Sequence, residues 1–238
     1  MSLALAGLIL VCVFTYAFEI VFGLAGTIMM VAIMSLVYEP RTLVVYSLLP
    51  QILVATIGLG RSPRVVRARP LAGMLGAAAL GMAAGLWIFF RLGDDQFRRL
   101  LATAITLFGA YLVLVPAPPP LPPWARRLLD GLAGASQALF GISGPVAMTR
   151  LLATYRDKTE VRNYALAFFL AMNLMRAAGY LAEGTVTPEI AGMMAWSAPF
   201  LAVSLWYANH LHFRVREGVF RRVVAWIILL GGLSLYRQ

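Results

Sequence analysis

The chain has 238 residues, 61% of them hydrophobic and 13% charged, with a net charge of +10. Soluble domains carry about 25% charged and about 45–50% apolar residues, so this composition excludes a water-soluble globular protein. Nor does the charge point to nucleic acid, because most Arg residues stand between apolar runs, where cytoplasmic membrane loops carry them.

Residues 3–36 form an apolar stretch too long for one membrane helix, interrupted at Gly23-Leu24-Ala25-Gly26. The apolar pattern predicts helices at 42–60, 70–91 and 97–115. The run from Pro116 to Pro123 cannot be helical and reads as a stiff polyproline linker. A second broken segment is expected at 127–155, interrupted at Phe140-Gly141-Ile142-Ser143-Gly144-Pro145. Helices at 161–182, 188–209 and 218–236 complete the pattern. The lone Cys12 excludes an internal disulfide and a multi-cysteine metal cluster, and reads as a small core residue. Residues 1–18 lack the basic start and cleavage site of a signal peptide, so none is expected.

This order repeats. At a single offset Gly23 and Gly26 fall on Gly141 and Gly144, Glu19 on Gln137, and Tyr46 on Tyr164. One residue further, Ala72-Gly73-Met74 falls on Ala191-Gly192-Met193 and Leu86-Trp87 on Leu205-Trp206. After another slip Phe97-Arg98-Arg99 falls on Phe220-Arg221-Arg222. The offset changes only in loops, as a duplication requires. The expected fold is therefore an all-α integral membrane protein of two pseudo-symmetric repeats, 1–115 and 126–238, joined by a proline-rich linker at 116–125. Each repeat is a broken or re-entrant helix segment followed by three transmembrane helices.

Loop charge argues that the repeats are inverted. The loop from Arg61 to Arg69 carries Arg61, Arg64, Arg67 and Arg69 and no acid, whereas its counterpart carries Glu183 and Glu189 and no base. Eight full crossings would put both loops on one side, against the positive-inside rule. If each broken segment enters and leaves on one face, the two loops separate to opposite sides. Gly73, Ala77, Gly81 and Gly85 recur every four residues on one helix face, a spacing that serves close helix packing.

Two glycines three apart inside a hydrophobic helix cost stability and free backbone groups, and in lipid such backbone persists only where it is buried or lines a polar cavity. Amides at a helix start favour an anion without any fixed cation. The candidate substrate-binding residues are thus Gly23, Gly26 and Thr27 at the first break, and Gly141, Ser143, Gly144 and Pro145 at the second. Pro145 fits the first turn of a restarting helix. Plain helix kinking or crossing is the structural alternative. Asn173 and Arg176 share a face of the sixth segment and can attract the same anion, although Arg176 can instead snorkel to the interface. Polar residues inside apolar segments add Glu19, Gln137 and Gln51. Glu19 can carry a coupled proton or accept hydrogen bonds from loosened backbone, and the sequence leaves both open. Gln51, next to Pro50, is expected to satisfy the carbonyl the proline leaves free. Arg150 reads as a cytoplasmic anchor. Tyr46, Tyr164, Trp87, Trp196 and Trp206 suit interface belts and helix packing. No P-loop, HExxH, GxSxG or Cys/His array is present, so ATP hydrolysis and the usual membrane-hydrolase chemistries have no support, and no cofactor or catalytic or metal-ligating residue is expected.

The two breaks, Phe22-Gly23-Leu24-Ala25-Gly26 and Phe140-Gly141-Ile142-Ser143-Gly144-Pro145, each precede three helices. With the small-residue third segment and the Phe-Arg-Arg starts of the fourth and eighth, this pattern resembles the sulfite exporter TauE/SafE family, also called TSUP. Members have a more glycine-rich first break, where this chain has Ala25 and Thr27. The resemblance implies a permease for small sulfur-containing anions such as sulfite or sulfonates, in a bacterial inner membrane. The leading reading is a secondary transporter working by alternating access around the two facing breaks, with proton coupling a candidate. The alternatives are a passive anion channel and a non-transporting membrane scaffold or partner subunit.

Overall fold

The computed structural model describes residues 2–22, 26–60, 66–114 and 120–211, and regular structure among them is entirely α-helical. In chain order the helices are α1 (Leu3–Phe22), α2 (Gly26–Met34), α3 (Pro40–Tyr46), α4 (Leu48–Gly60) and α5 (Ala68–Arg91), followed by α6 (Asp94–Leu114), α7 (Pro123–Phe140), α8 (Gly144–Leu152), α9 (Lys158–Ala182) and α10 (Pro188–Leu211). Gly23, the Arg61 and Arg64 end of the basic loop, the prolines from 116 to 119 and the expected helix at 218–236 lie outside the described residues.

Among the described residues, five stretches are long and apolar enough to cross a membrane: Leu3–Val21, Pro40–Gly60, Ala68–Arg91, Thr159–Ala182 and Pro188–His210. At 1.5 Å per residue, the 20 residues of α1 reach about 30 Å. Leu10, Leu80, Trp87, Trp196 and Phe200 project outward from these helices. Such side chains suit lipid, which is as apolar as they are. The chain is an integral membrane protein.

Both broken segments fold back on themselves. Arg150 of α8 makes an ion pair with Asp130 of α7 at 3.0 Å, although a straight helix would hold residues twenty apart about 30 Å away. In the first segment the Thr27 hydroxyl meets that of Tyr16 at 3.0 Å, again across a sequence separation a straight helix could not close. The returning legs α2 and α8 are nine residues each, about 14 Å, which is less than half the thickness of a hydrocarbon core.

Local chemistry sets the helix ends. The expected helix 42–60 is divided at Ser47, three residues before Pro50, whose ring clashes with the carbonyl one turn back. The Ser47 hydroxyl donates to the Val44 carbonyl at 2.6 Å and stabilises the turn there. Helix α6 begins earlier than the expected residue 97, because Asp94 and Asp95 fall in its first turn and complement its dipole. Helix α7 starts at Pro123, inside the expected linker, since proline is well suited to a first helical turn. Helix α9 starts at Lys158, capped by the Asp157 side chain, which accepts from the Glu160 amide at 2.9 Å.

Among the described helices, the widest contact is between α5 and α7. A Cβ on Gly81 would lie 2.7 Å from the Gly131 carbonyl carbon, and one on Gly85 would lie 2.6 Å from the Ala135 carbonyl oxygen. Gly134 answers from α7, where a Cβ would lie 2.7 Å from the carbonyl carbon of Ala78. Gly73 faces open space, so only the lower part of the small-residue stripe makes the close approach. This crossing fixes α7, and with it the second break, against the span α5. At the start of α3, Arg41 donates to the Phe89 and Leu92 carbonyls at 3.0 and 2.5 Å and pairs with Asp94 at 3.3 Å.

Candidate functional site

At the second break the sequence dictates a stop, a turn and a restart. Gly141 caps α7 in the left-handed conformation, with φ 65°, and its amide donates to the Gln137 carbonyl at 3.0 Å. A Cβ there would be strained by that φ and would sit 2.8 Å from the Ser47 hydroxyl, with the Arg176 guanidinium closer still. Helix α8 restarts at Gly144, with Pro145 in its first turn. Ser143 holds the N-cap position, yet its hydroxyl makes no cap bond and donates instead to Gln137 Oε1 at 2.6 Å. The first amides of α8 are thus left without a side-chain cap.

The first break is organised differently. The Thr27 amide, in the opening turn of α2, donates to Glu19 Oε2 at 3.3 Å. A Cβ on Gly26 would lie 2.8 Å from the Glu19 Cβ and 2.9 Å from the Thr15 carbonyl, so glycine is required for this approach. A protein carboxylate therefore occupies the amide end that α8 leaves open.

Amide side chains join the two breaks. Gln51, from α4, donates through Nε2 to the Thr27 hydroxyl of the first break and to the Gly141 carbonyl of the second, the latter at 2.5 Å. Gln137 Nε2 donates to Gln51 Oε1 at 2.7 Å and to Asn173 Oδ1 at 2.9 Å. Asn173 is held in turn by its donation to the Phe169 carbonyl at 2.9 Å.

Arg176 supports this network from behind. It is fully buried, and donates to the Gln137 carbonyl at 3.1 Å, to Ser47 Oγ at 3.1 Å and to Gln51 Oε1 at 3.4 Å. Among the described residues no carboxylate lies within 4.0 Å of its guanidinium, and its Nε has no hydrogen-bond partner. A cation at the carbonyl end of α7 is well matched to the helix dipole.

Between the breaks lies a small cavity of about 30 Å³. That is room for about two waters, or for a solute of a few heavy atoms. Its polar lining comes from Glu19 and Thr27 on one side, from Gln137 and the Gly141–Pro145 turn on the other, and from Gln51 and Asn173. Ile28, Val54, Leu166 and Phe169 supply apolar wall.

Of the residues singled out in the sequence, Thr27, Gly141, Ser143, Gly144, Pro145, Asn173, Glu19, Gln51 and Gln137 converge on this cavity. Gly26 and Arg176 stand behind its wall, and Gly23 lies outside the described residues. Gln51 reaches across to both breaks rather than back to the carbonyl freed by Pro50. Arg176 is buried in the core and does not snorkel. Arg150 is likewise largely buried, in its ion pair with Asp130. Tyr46 and Tyr164 are core residues, whereas Trp87, Trp196 and Trp206 are outward-facing. Tyr16 and Ser47 escaped the sequence reading, although Tyr16 lies three residues before Glu19 and so shares its helix face.

A family model described as sulfite exporter TauE/SafE matches residues 8–235, a span that contains both breaks and the helices between and after them. The same comparisons match no curated protein and no solved structure. A match over nearly the whole length, on a membrane protein whose folded-back segments meet at a polar cavity, carries the assignment: this chain belongs to the sulfite exporter TauE/SafE family of membrane transporters.

Proposed function

We propose that the protein is a secondary transporter of small sulfur oxyanions, sulfite or short sulfonates, in a bacterial inner membrane, and that the cavity between the breaks is its substrate site. The observation that carries this reading is that residues of both breaks line one small cavity. The uncapped first-turn amides of α8, the Thr27 hydroxyl and the second N–H of Asn173 form a donor set suited to oxygen atoms bearing negative charge, while Gln51, Gln137 and Ser143, whose N–H and O–H groups are spent within the network, hold that set in place. The Arg176 charge, uncompensated by a nearby carboxylate among the described residues, favours an anion in front of it.

Alternating access follows from two mirror-related repeats moving about this site. The short returning legs and the contrast between the basic loop at 61–69 and the acidic loop at 183–189 support inversion, with each folded-back segment re-entering the face it left. Purified protein in proteoliposomes should take up labelled sulfite with saturation, and an unlabelled small sulfonate should compete. Uptake linear in concentration up to high millimolar sulfite would mark a channel instead, and no anion flux at all would mark a scaffold. Single cysteines in the two loops, in a Cys12-free background, should react with impermeant reagent from opposite sides of intact cells. Labelling from one side would remove the mirror relation.

A further inference from the structure

We propose that Glu19 carries a proton with each anion that passes, so that transport is anion–proton symport with Glu19 as the exchanging group. This rests on the substrate site proposed above. The Glu19 carboxylate lines the same cavity of about 30 Å³ that the anion must enter, and no cation lies within 4.0 Å of it among the described residues. Two negative charges in so small a space repel strongly. One of them must be neutralised, and a carboxylate can take up a proton whereas a sulfonate cannot.

The hydrogen bonds show what the exchange does. Glu19 Oε2 accepts from the Thr27 amide, so the carboxylate fills the amide end of α2 as an internal anion. When the substrate anion arrives, a proton from the same side binds a Glu19 oxygen and forms an O–H bond. The Thr27 amide is then released to the substrate, and the new O–H can donate to it as well. On the far side the anion leaves, the O–H bond breaks, the proton departs to that side, and the carboxylate recaptures Thr27. At the equivalent place in the second break stands Gln137, which cannot titrate, so the exchange belongs to the first break alone.

Among the described residues, the titratable surroundings leave Glu19 as the group that exchanges. From α1 itself Tyr16 and Cys12 are near, and Tyr46 comes from α3, all buried in the core. Helices α2 and α4, packed against α1, bring no titratable side chain, and those of α10, Glu189, Tyr207 and His210, are exposed at or near its ends. Across the cavity Arg176 faces the other break. Asp130 is engaged by Arg150.

The test uses the full-length protein in proteoliposomes, with sulfite and methanesulfonate as parallel probes; the second keeps a single negative charge at every pH used. With the voltage clamped at zero by potassium and valinomycin, a one-unit gradient, acid outside, should drive up to about tenfold methanesulfonate accumulation through a one-to-one symporter. Glu19→Gln, an isostere of the protonated state, should exchange anion at a measurable though changed rate that no longer varies with pH, and should lose the gradient-driven accumulation. Glu19→Asp, still titratable, should retain the response to the gradient at an altered rate. The symport is overturned if the wild type exchanges anion but ignores the gradient, or if Glu19→Gln still accumulates it. Loss of exchange in a Glu19→Gln protein that elutes as wild type also counts against it. Absence of exchange of either probe by the wild type would instead remove the substrate site itself.

Discussion

Arg150 and Asp130 meet at 3.0 Å from the two legs of one folded-back segment, with only 11% and 4% of their side chains exposed. The pair pins the short α8 alongside α7 and so determines where the second break points. Removing one partner of a buried pair leaves a charge uncompensated, which costs about 3–5 kcal/mol. Asp130→Asn should therefore lower the thermal unfolding midpoint in detergent markedly. Adding Arg150→Met should recover part of the loss, because the orphaned charge is then gone. Equal midpoints for wild type and the single variant would mean that the pair does not hold the legs together.

Gly141 should tolerate no side chain. Gly141→Ala must place an L-residue at φ 65°, a cost of roughly 1–2 kcal/mol, and must also push away Arg176 and Ser47. The expected outcome is reduced stability together with weakened sulfite uptake, since Arg176 also holds Gln137 and Gln51. Gly184 shares the same backbone conformation but has open space around it, so Gly184→Ala should show the conformational cost without the transport defect.

Ser143→Ala removes a hydroxyl that lines the cavity and orients Gln137. One hydrogen bond is worth about 1 kcal/mol, so the KM for sulfite should rise about fivefold with membrane insertion intact. Initial-rate uptake over a range of sulfite concentrations measures it. Unchanged kinetics would argue against the site.

The α5–α7 crossing predicts a contrast within one helix. Gly81→Val must displace the backbone of α7 at Gly131 and should destabilise by about 1–3 kcal/mol or more. Gly73→Val, two face-equivalent positions away in open space, should unfold at the wild-type temperature. Similar midpoints for both would mean that the close approach contributes little.

Much of the site was legible in the chain because its parts are costly where they stand. Glycines, a proline, a carboxylate and carboxamides inside apolar helices need a reason to persist in lipid, and that alone singled out Glu19, Thr27, Gln51, Gln137, Ser143, Pro145 and Asn173. What escaped was partnership. Gln51 was read against its neighbour Pro50, yet its hydrogen bonds go to Thr27 and Gly141, far away in sequence. Tyr16 and Ser47 looked ordinary because a buried hydroxyl shows its role only through the atom it meets.

By itself, then, the sequence determined the membrane class, the two interruptions and the kind of polar group set beside them, since hydropathy and helix-breaking are local properties of the chain. Only the tertiary structure decided that the interruptions share one cavity, that Glu19 caps α2 while α8 is left open, and that Arg176 stands behind the cavity wall. Those relations depend on helix crossings such as α5 on α7, where backbone meets backbone at glycine, and no local pattern encodes the depth and angle at which two helices meet.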